Sequence, residues 1–426
     1  MRYRIRRGPG RLDILRERLR ATFDDPPLIG VALVLSLFGV AMIYSAGLVN
    51  VPRLGLETAW LRQLVWLGLA MVAFGVVGNI SPRWMEWAAL PAYVASVALL
   101  ALTLLVGTPG GAGDGVGRWL ELGPLRFQPA ELAKLACILA LARLLAGREE
   151  PPGSLRDLLA PGALVGLPLL LVVLQPDLGT ALAFVGILFA ALFWAGTPLT
   201  LLGLMATPGL ALVLAFDTRI WSAYMVLLVG FLVAIRSRLY LAEAASVVLA
   251  NLAGGTIALP LWNSLAEYQK NRILVFLDPS IDPQGAGWNL LQSRVAIGSG
   301  GLTGQGFTQG TQKRLDFLPE QHTDFIVSVI GEELGFVGIS ALLLGFGYFL
   351  HRLLRVAERT GDPFAGLVVL GIFGAWLVHI VVNIGMTVGV LPITGIPLPF
   401  ISYGGTFLLM SWAALGAALG LSRNSG

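Results

Sequence analysis

In the stretch KRLDFLPEQHTDF six ionisable side chains, Lys313, Arg314, Asp316, Glu320, His322 and Asp324, fall within twelve residues. The last stands where a long apolar run begins at Phe325, with Thr323 before it. A carboxylate at such a rim stays open to a polar acceptor while partly shielded from bulk water, the setting of a general base. A charged helix cap with solvated neighbours would read the same way. In QPAELAKLA, Glu131 and Lys134 are three apart and share one helix face. Lys134 is the one of three lysines that falls inside an apolar run. The two either form a local ion pair at a helix end or offer a cationic anchor to an anionic headgroup. Asp177 follows Pro176 in QPDLGTA and suits a helix start; at the same outer level as Lys134, it is also a candidate interhelical partner for it. Glu332 and Glu333 lie two turns into the run after Asp324, flanked by Gly331 and Gly335, which would let another helix approach closely. At least one of them should face protein or water. His379 and Asn383, one turn apart, read as interhelical hydrogen bonding. Cys137 is the only cysteine, and His322, His351 and His379 are scattered. That excludes a disulfide framework or a cysteine metal site within the chain and suggests no histidine cluster.

The elements that must carry these residues are membrane helices. Of 426 residues 56% are hydrophobic and 13% charged, half the charge of an ordinary soluble domain, and mean hydropathy is +0.78. A polytopic membrane protein follows. The net charge of +4 comes from short basic clusters between apolar runs, which membrane topology explains and nucleic-acid binding does not. Runs long enough to cross a bilayer are Leu28 to Leu48, Leu64 to Ile80, Trp87 to Val106, Ala130 to Ala146, Ala160 to Leu174 and Leu178 to Ala195. Six more are Leu199 to Phe216, Ile220 to Ile235, Leu239 to Trp262, Phe325 to Leu350, Phe364 to Val390 and Thr406 to Leu421. With twelve crossings, the Arg-rich residues 1–27 lie in the cytoplasm, as do Arg83, Arg143, Arg148, Arg156, Arg236, Arg238, Arg352, Arg355, Arg359, Arg423 and the tail 422–426. The amino-terminal segment lacks the short apolar core of a cleavable signal. The fold expected is therefore an all-α bundle. Helices 1 to 9 fall within 28–262 with an outer loop at 107–128, an outer loop covers 263–324, and helices 10 to 12 fall within 325–421 with a last outer loop at 391–405. The long loop carries Trp288, Leu290, Leu291 and Phe317 among its charges, so short interfacial helices are expected there and not disorder.

The runs GRWLELGPLRFQPAELAK, QPDLGTAL, the whole of KNRILVFLDPS to SVIGEELGFVG, and LPITGIPLPFISYGGT together resemble the SEDS family of peptidoglycan glycosyltransferases. The form GIPLPFISYGG is closer to its RodA branch than to the septal FtsW branch. The resemblance implies polymerisation of lipid II on the outer face of the bacterial cytoplasmic membrane during elongation and shape maintenance. It implies a class B penicillin-binding protein and the rod-elongation complex as partners, with membrane lipids around the chain. The family's essential aspartate falls on Asp324 and its loop tryptophan on Trp119, beside Arg118; its QP motifs fall on Gln128, Glu131, Lys134, Gln175 and Asp177. The family core has ten spans, so two of the twelve read as an inserted helical pair between QPDLGT and KNRILVF.

Joining a sugar hydroxyl to an anomeric carbon that carries a lipid pyrophosphate needs a base, positive charge for the leaving group and a wall for the lipid tails. Asp324 is the base on this reading. Arg118, Lys134, Arg272, Arg294, Lys313 and Arg314 are candidates for the phosphates, with His322 near the base and Trp119 stacking on a sugar or anchoring at the interface. No cofactor is firmly implied; a divalent cation, Mg or Mn, would suit the pyrophosphate, though no ligand set is visible. A precursor flippase and a non-catalytic scaffold are the rival readings. The first needs polar groups through the full membrane depth, whereas here they cluster at the outer level; the second leaves the set of carboxylate, lysine and arginine side chains without a purpose.

Overall fold

The computed structural model describes residues 25–50, 56–109, 117–123, 125–235, 240–283, 285–315, 317–318 and 320–423. The arginine-rich stretch 1–24, the 236–238 turn, Asp316 and the last three residues, all used in the sequence reading, lie outside them.

Each apolar run is a helix. They are α1 (Pro26–Ala46), α2 (Ala59–Gly78), α3 (Pro82–Val106), α4 (Pro129–Ala146), α5 (Leu159–Leu174), α6 (Leu178–Trp194), α7 (Leu199–Leu214), α8 (Thr218–Ala234) and α9 (Leu241–Ser264). The short helices α10 (Glu267–Leu277), α11 (Ala286–Ser299) and α12 (Thr311–Arg314) follow, then α13 (Ile326–Arg359), α14 (Pro363–Val388) and α15 (Gly405–Arg423). Among the described residues, eight helices are long and apolar enough to cross a membrane; α6, α7 and α8 are apolar but shorter, and α4 carries Glu131, Lys134 and Arg143. Aspartates set several starts. Asp25 accepts from the Leu28 N–H at 3.1 Å ahead of two prolines, and Asp177, Asp217 and Asp362 cap α6, α8 and α14 in the same way.

Helices pack closely where glycine leaves room. On α15, a Cβ at Gly416 or Gly420 would stand 2.5 Å from a carbonyl oxygen of α2, so the two backbones touch. Helices α7, α8 and α9 are joined by polar side chains, with Tyr224 of α8 donating to Asn251 of α9 at 2.8 Å and Asn251 donating to Thr207 of α7 at 2.9 Å. At the other end of α1, Asp25 pairs with Arg352 of α13.

The outer segments depart from a purely helical reading at two places. Residues 107–128 contribute a small antiparallel sheet, β1 (Thr108–Pro109), β2 (Gly117–Leu122) and β3 (Leu125–Phe127), in the order β1-β2-β3. The second departure is in α13, expected as one uninterrupted helix, which breaks at Gly335 (φ 63°, ψ −160°). The freed carbonyls of Glu332 and Glu333 accept from Gln305 and Gly306, while Phe336 and Val337 donate back to Gly301 and Leu302, all at 2.9–3.1 Å. Loop 300–306 thus enters the broken helix, and Gly335 is where a Cβ would collide with it. As the glycine spacing predicts, Gly331 accommodates a neighbouring helix, with Ile297 of α11 against it. The long loop folds as short helices, and Ser293 of α11 joins Ser328 of α13 and the Thr387 carbonyl of α14, both at 2.6 Å.

Candidate active site

The HTD segment sits at the start of α13 with its backbone amides turned inward and its carbonyls turned toward two other parts of the chain. The N–H groups of Thr323 and Phe325 both return to the Glu320 carbonyl. The three carbonyls of His322, Thr323 and Asp324 accept, in order, from the Tyr403 N–H at 2.9 Å, the Ser402 hydroxyl at 2.7 Å and the Asn383 side-chain amide at 3.1 Å. The ISYGG turn is itself fixed to α2, because Gln63 donates to the Ser402 carbonyl and accepts from the Gly404 N–H, each at 3.2 Å.

Asp324 is half-buried. Burial, reinforced by the nearby Glu320 carboxylate, pushes its carboxyl up to about 7, against the pull of Arg272 and with smaller opposing effects from Asp177 and Arg118. Gly395 (φ +71°) forms the adjoining wall, where a Cβ would lie 3.2 Å from Asp324 Oδ2 and 3.7 Å from Arg272 Nη1. A side chain there would fill the space beside the carboxylate. The His322 ring lies 5.3 Å from that of Tyr403, over which the Arg62 guanidinium is placed at 5.9 Å; burial lowers the histidine's proton affinity.

Arg118 on β2 reaches the QPD turn, donating to the carbonyls of Gln175 at 3.2 Å and Pro176 at 2.9 Å. Strand alternation turns Trp119 to the opposite face, where it is partly exposed and its backbone pairs with Thr108. Gln175 is held by the Leu100 carbonyl, and Gln128 donates to Asp177 at 3.4 Å. Glu320, Arg272, Asp177 and Arg118 are the charges that act on Asp324, and Arg272 stands with it beside Gly395. Gln63, Gln128, Asp177 and Asp324 lie at or near the starts of α2, α4, α6 and α13, and Gln175 and Asn383 at or near the ends of α5 and α14, helices that alternate in direction, so they share one end of the bundle. Arg83, Arg143, Arg352, Arg355 and Arg359 mark the other.

Other candidates are placed differently. The interhelical pair of Lys134 with Asp177 does not form. Asp177 is occupied by the Thr180 amide and hydroxyl, while Lys134 bonds Glu131 at 2.9 Å and His379 Nε2 at 2.9 Å. An ammonium only donates, so Nε2 accepts and the ring proton is on Nδ1, which donates to the Pro397 carbonyl at 2.9 Å. The cavity beside Lys134, Glu131, His379 and Phe407 has about 30 Å³ of room, enough for a water or two, and Lys134 is committed to Glu131 and His379. Lys313, also a phosphate candidate, is fully buried in an ion pair with Glu333 and donates to Ser45; burial lowers its proton affinity, against the pull of Glu333. Glu332 accepts from Gln312 and Thr311 at the start of α12. Both carboxylates are in protein, as expected, and serve to fix the loop. Arg294 donates to the Gly389 carbonyl and Arg314 to that of Thr308. Asn383 makes the hydrogen bonds expected of it, but to loop carbonyls and not to another helix. Among the described residues no three histidine, cysteine, aspartate or glutamate side chains gather as a metal-ligand set.

Ser402, Gln63 and Gly395 were not named from sequence, and Glu320 was named only as one of the charges in its stretch. The only signal for the first was its place in ISYGG just before a helix; for Gly395, a glycine between Thr394 and Ile396 gives no hint that a carboxylate stands beside it.

A family model described as cell cycle protein, FtsW/RodA/SpoVE, matches residues 27–224 and 210–425. The chain is 34% identical over 397 residues to the peptidoglycan glycosyltransferase MrdB of Escherichia coli K12, covering 93% of each chain. Its structure is similar to a chain of a solved peptidoglycan synthase complex, described for its coordination of polymerization and crosslinking, with a TM-score of 0.69 at 32% identity over 94% of this chain and 98% of that one. It is also similar to the rod shape determining protein RodA of Thermus thermophilus, with a TM-score of 0.61 at 29% identity over 94% and 97%.

Proposed function

The chain belongs to the FtsW/RodA/SpoVE family of cell cycle proteins and as such is a multi-pass membrane peptidoglycan glycosyltransferase; we propose that it polymerises lipid II, with Asp324 as general base. The observation that carries the proposal is the half-buried Asp324 carboxylate, with Arg272 and Arg118 in electrostatic reach and the side-chain-free Gly395 beside it. A group that titrates near 7 is half ionised at neutral pH, the best compromise between being free to take a proton and being basic enough to hold it.

In the reaction, Asp324 removes the proton of the acceptor GlcNAc 4-hydroxyl as that oxygen attacks C1 of the donor MurNAc. The C1–oxygen bond to pyrophosphate breaks, and the bonding pair leaves with the lipid pyrophosphate. Attack opposite the leaving group turns an α-linked donor into a β-linked glycan. Arg272 and Arg118 supply positive charge where the pyrophosphate gains negative charge. A divalent cation, Mg or Mn, would add Lewis-acid charge at the pyrophosphate, but the described residues gather no ligand set for one, and no step above is routed through it.

The basic flanks at the opposite end of the bundle support placing both termini in the cytoplasm and the site on the outer face of the inner membrane. The partner proposed is a class B penicillin-binding protein within the rod-elongation complex, by analogy with the synthase complex to which the fold is similar. The proposal is tested with purified protein, labelled lipid II and the cognate class B enzyme. Glycan ladders support it, whereas lipid II that crosses the bilayer without polymerising favours the flippase reading.

A further inference from the structure

We propose that Asn383 and Ser402 are positioning residues for the glycosyl transfer, holding the Asp324 carboxylate in register with the Gly395 wall where the acceptor hydroxyl must lie. The inference rests on the reading of Asp324 as base, but its observations are separate. The amide of Asn383, fully buried on α14, gives one N–H to the Asp324 carbonyl at 3.1 Å and the other to the Ile396 carbonyl at 2.7 Å. Gly395, the residue before Ile396, is the one that faces Asp324 Oδ2 and Arg272. A single NH₂ group therefore ties the backbone of the base to the backbone of the wall opposite its carboxylate.

Ser402 makes the same connection one residue earlier. Its buried hydroxyl donates to the Thr323 carbonyl at 2.7 Å and accepts from the Leu398 N–H at 2.8 Å. His379, one turn from Asn383, holds the intervening Pro397 carbonyl. The HTD segment and the 395–398 segment have no ladder of backbone hydrogen bonds between them; two small polar side chains bridge them instead. Both bridging side chains are buried, so losing either strands the Ile396 carbonyl or the Leu398 amide away from water. The segment would then relax, and the carboxylate with it. Misplacing a reacting group by about 1 Å can cost on the order of 100-fold in rate.

The test measures kcat and KM for lipid II polymerisation, their pH profiles and thermal melting for Ser402→Ala, Ser402→Thr, Asn383→Leu and Asn383→Asp in the full chain with its partner. Positioning predicts a fall in kcat of about 10- to 100-fold with KM for lipid II little changed. It also predicts that the acid limb of the kcat profile moves toward lower pH as Asp324 turns toward water, and that Ser402→Thr, which keeps the hydroxyl, recovers most of the rate. Glu320, Arg272, Asp177 and Arg118, the charges around Asp324, are unchanged in every variant, and Ser402→Ala, Ser402→Thr and Asn383→Leu add none, so a moved limb in those three reports geometry; Asn383→Asp adds a carboxylate near Asp324 and is compared for kcat alone. A kcat that stays at the native level in folded variants overturns the proposal. So does a loss of activity that follows melting alone with the limb unmoved. If Asn383→Leu does not fold, the Ser402 pair decides. Asp324→Asn run in parallel separates the two ideas, because an active Asp324→Asn sinks the base, while an inactive one beside native-like Ser402→Ala sinks only the positioning.

Discussion

The environment of Asp324 predicts how the rate depends on pH. Its carboxyl is pushed from an ordinary 3.8 up to about 7. A base must be ionised to act, so the rate should climb as pH rises through that value. Each pH unit is a factor of ten in the ratio of the two forms, so the ionised fraction goes from about one tenth at pH 6 to about nine tenths at pH 8. A roughly tenfold rise in kcat is expected across that interval, where an unperturbed aspartate would leave the profile flat. Two charge removals give the sign. Burial is the largest cause of the shift, Glu320 raises it further and Arg272 opposes it, so Glu320→Gln should move the acid limb down in pH and Arg272→Gln should move it up. Arg272→Gln also removes charge from the leaving group, so the midpoint, not the height, is the quantity to compare. The assay is initial-rate polymerisation of labelled lipid II at saturating substrate from about pH 5 to 9. A flat profile, or two substitutions that shift the limb in the same direction, would refute the reasoning.

Lys313→Met should destabilise the protein by about 3 to 5 kcal/mol by leaving Glu333 buried and unpaired, and Lys313→Met with Glu333→Leu should recover part of that in a thermal melt. A lysine that instead held phosphate would raise KM with little change in melting. Gly395→Ala places a methyl in the space next to Asp324 Oδ2 at a residue with φ +71°; strain of about 1 to 2 kcal/mol and a fall in kcat larger than any fall in melting temperature are expected. Arg118→Gln should lower the rate of glycan synthesis while the β2 hairpin stays folded by hydrogen–deuterium exchange.

The helices were legible because their cause is local. Twelve apolar runs, Pro and Asp at their starts and a basic residue at most inner ends mark the positions of twelve helices, although α13 continues past Leu350 to Arg359. What depended on contact between distant segments was not. The break at Gly335 arises because loop 300–306 supplies hydrogen-bond partners to an opened turn, which no periodicity within α13 announces. Glu131 and Lys134 were read as a possible local pair from their spacing, and they form one; that Lys134 turns to His379 and not to Asp177 depends on how α14 packs against α4. Lys313 has the same composition signal as a phosphate-binding lysine, and only its descent to Ser45 and Glu333 separates the two. In the same way Asn383 was legible as a hydrogen-bonding residue, but its partners, the carbonyls of Asp324 and Ile396, reach it only through the packing of distant segments.

The central claim is that this chain polymerises lipid II with Asp324 as the base. Native protein and Asp324→Asn, each purified with the class B penicillin-binding protein proposed as its partner and matched by thermal melting, should be given the same labelled lipid II and their products separated by length. Long glycan from the native protein and none from the folded Asp324→Asn is the predicted result; equal glycan from both would contradict the account.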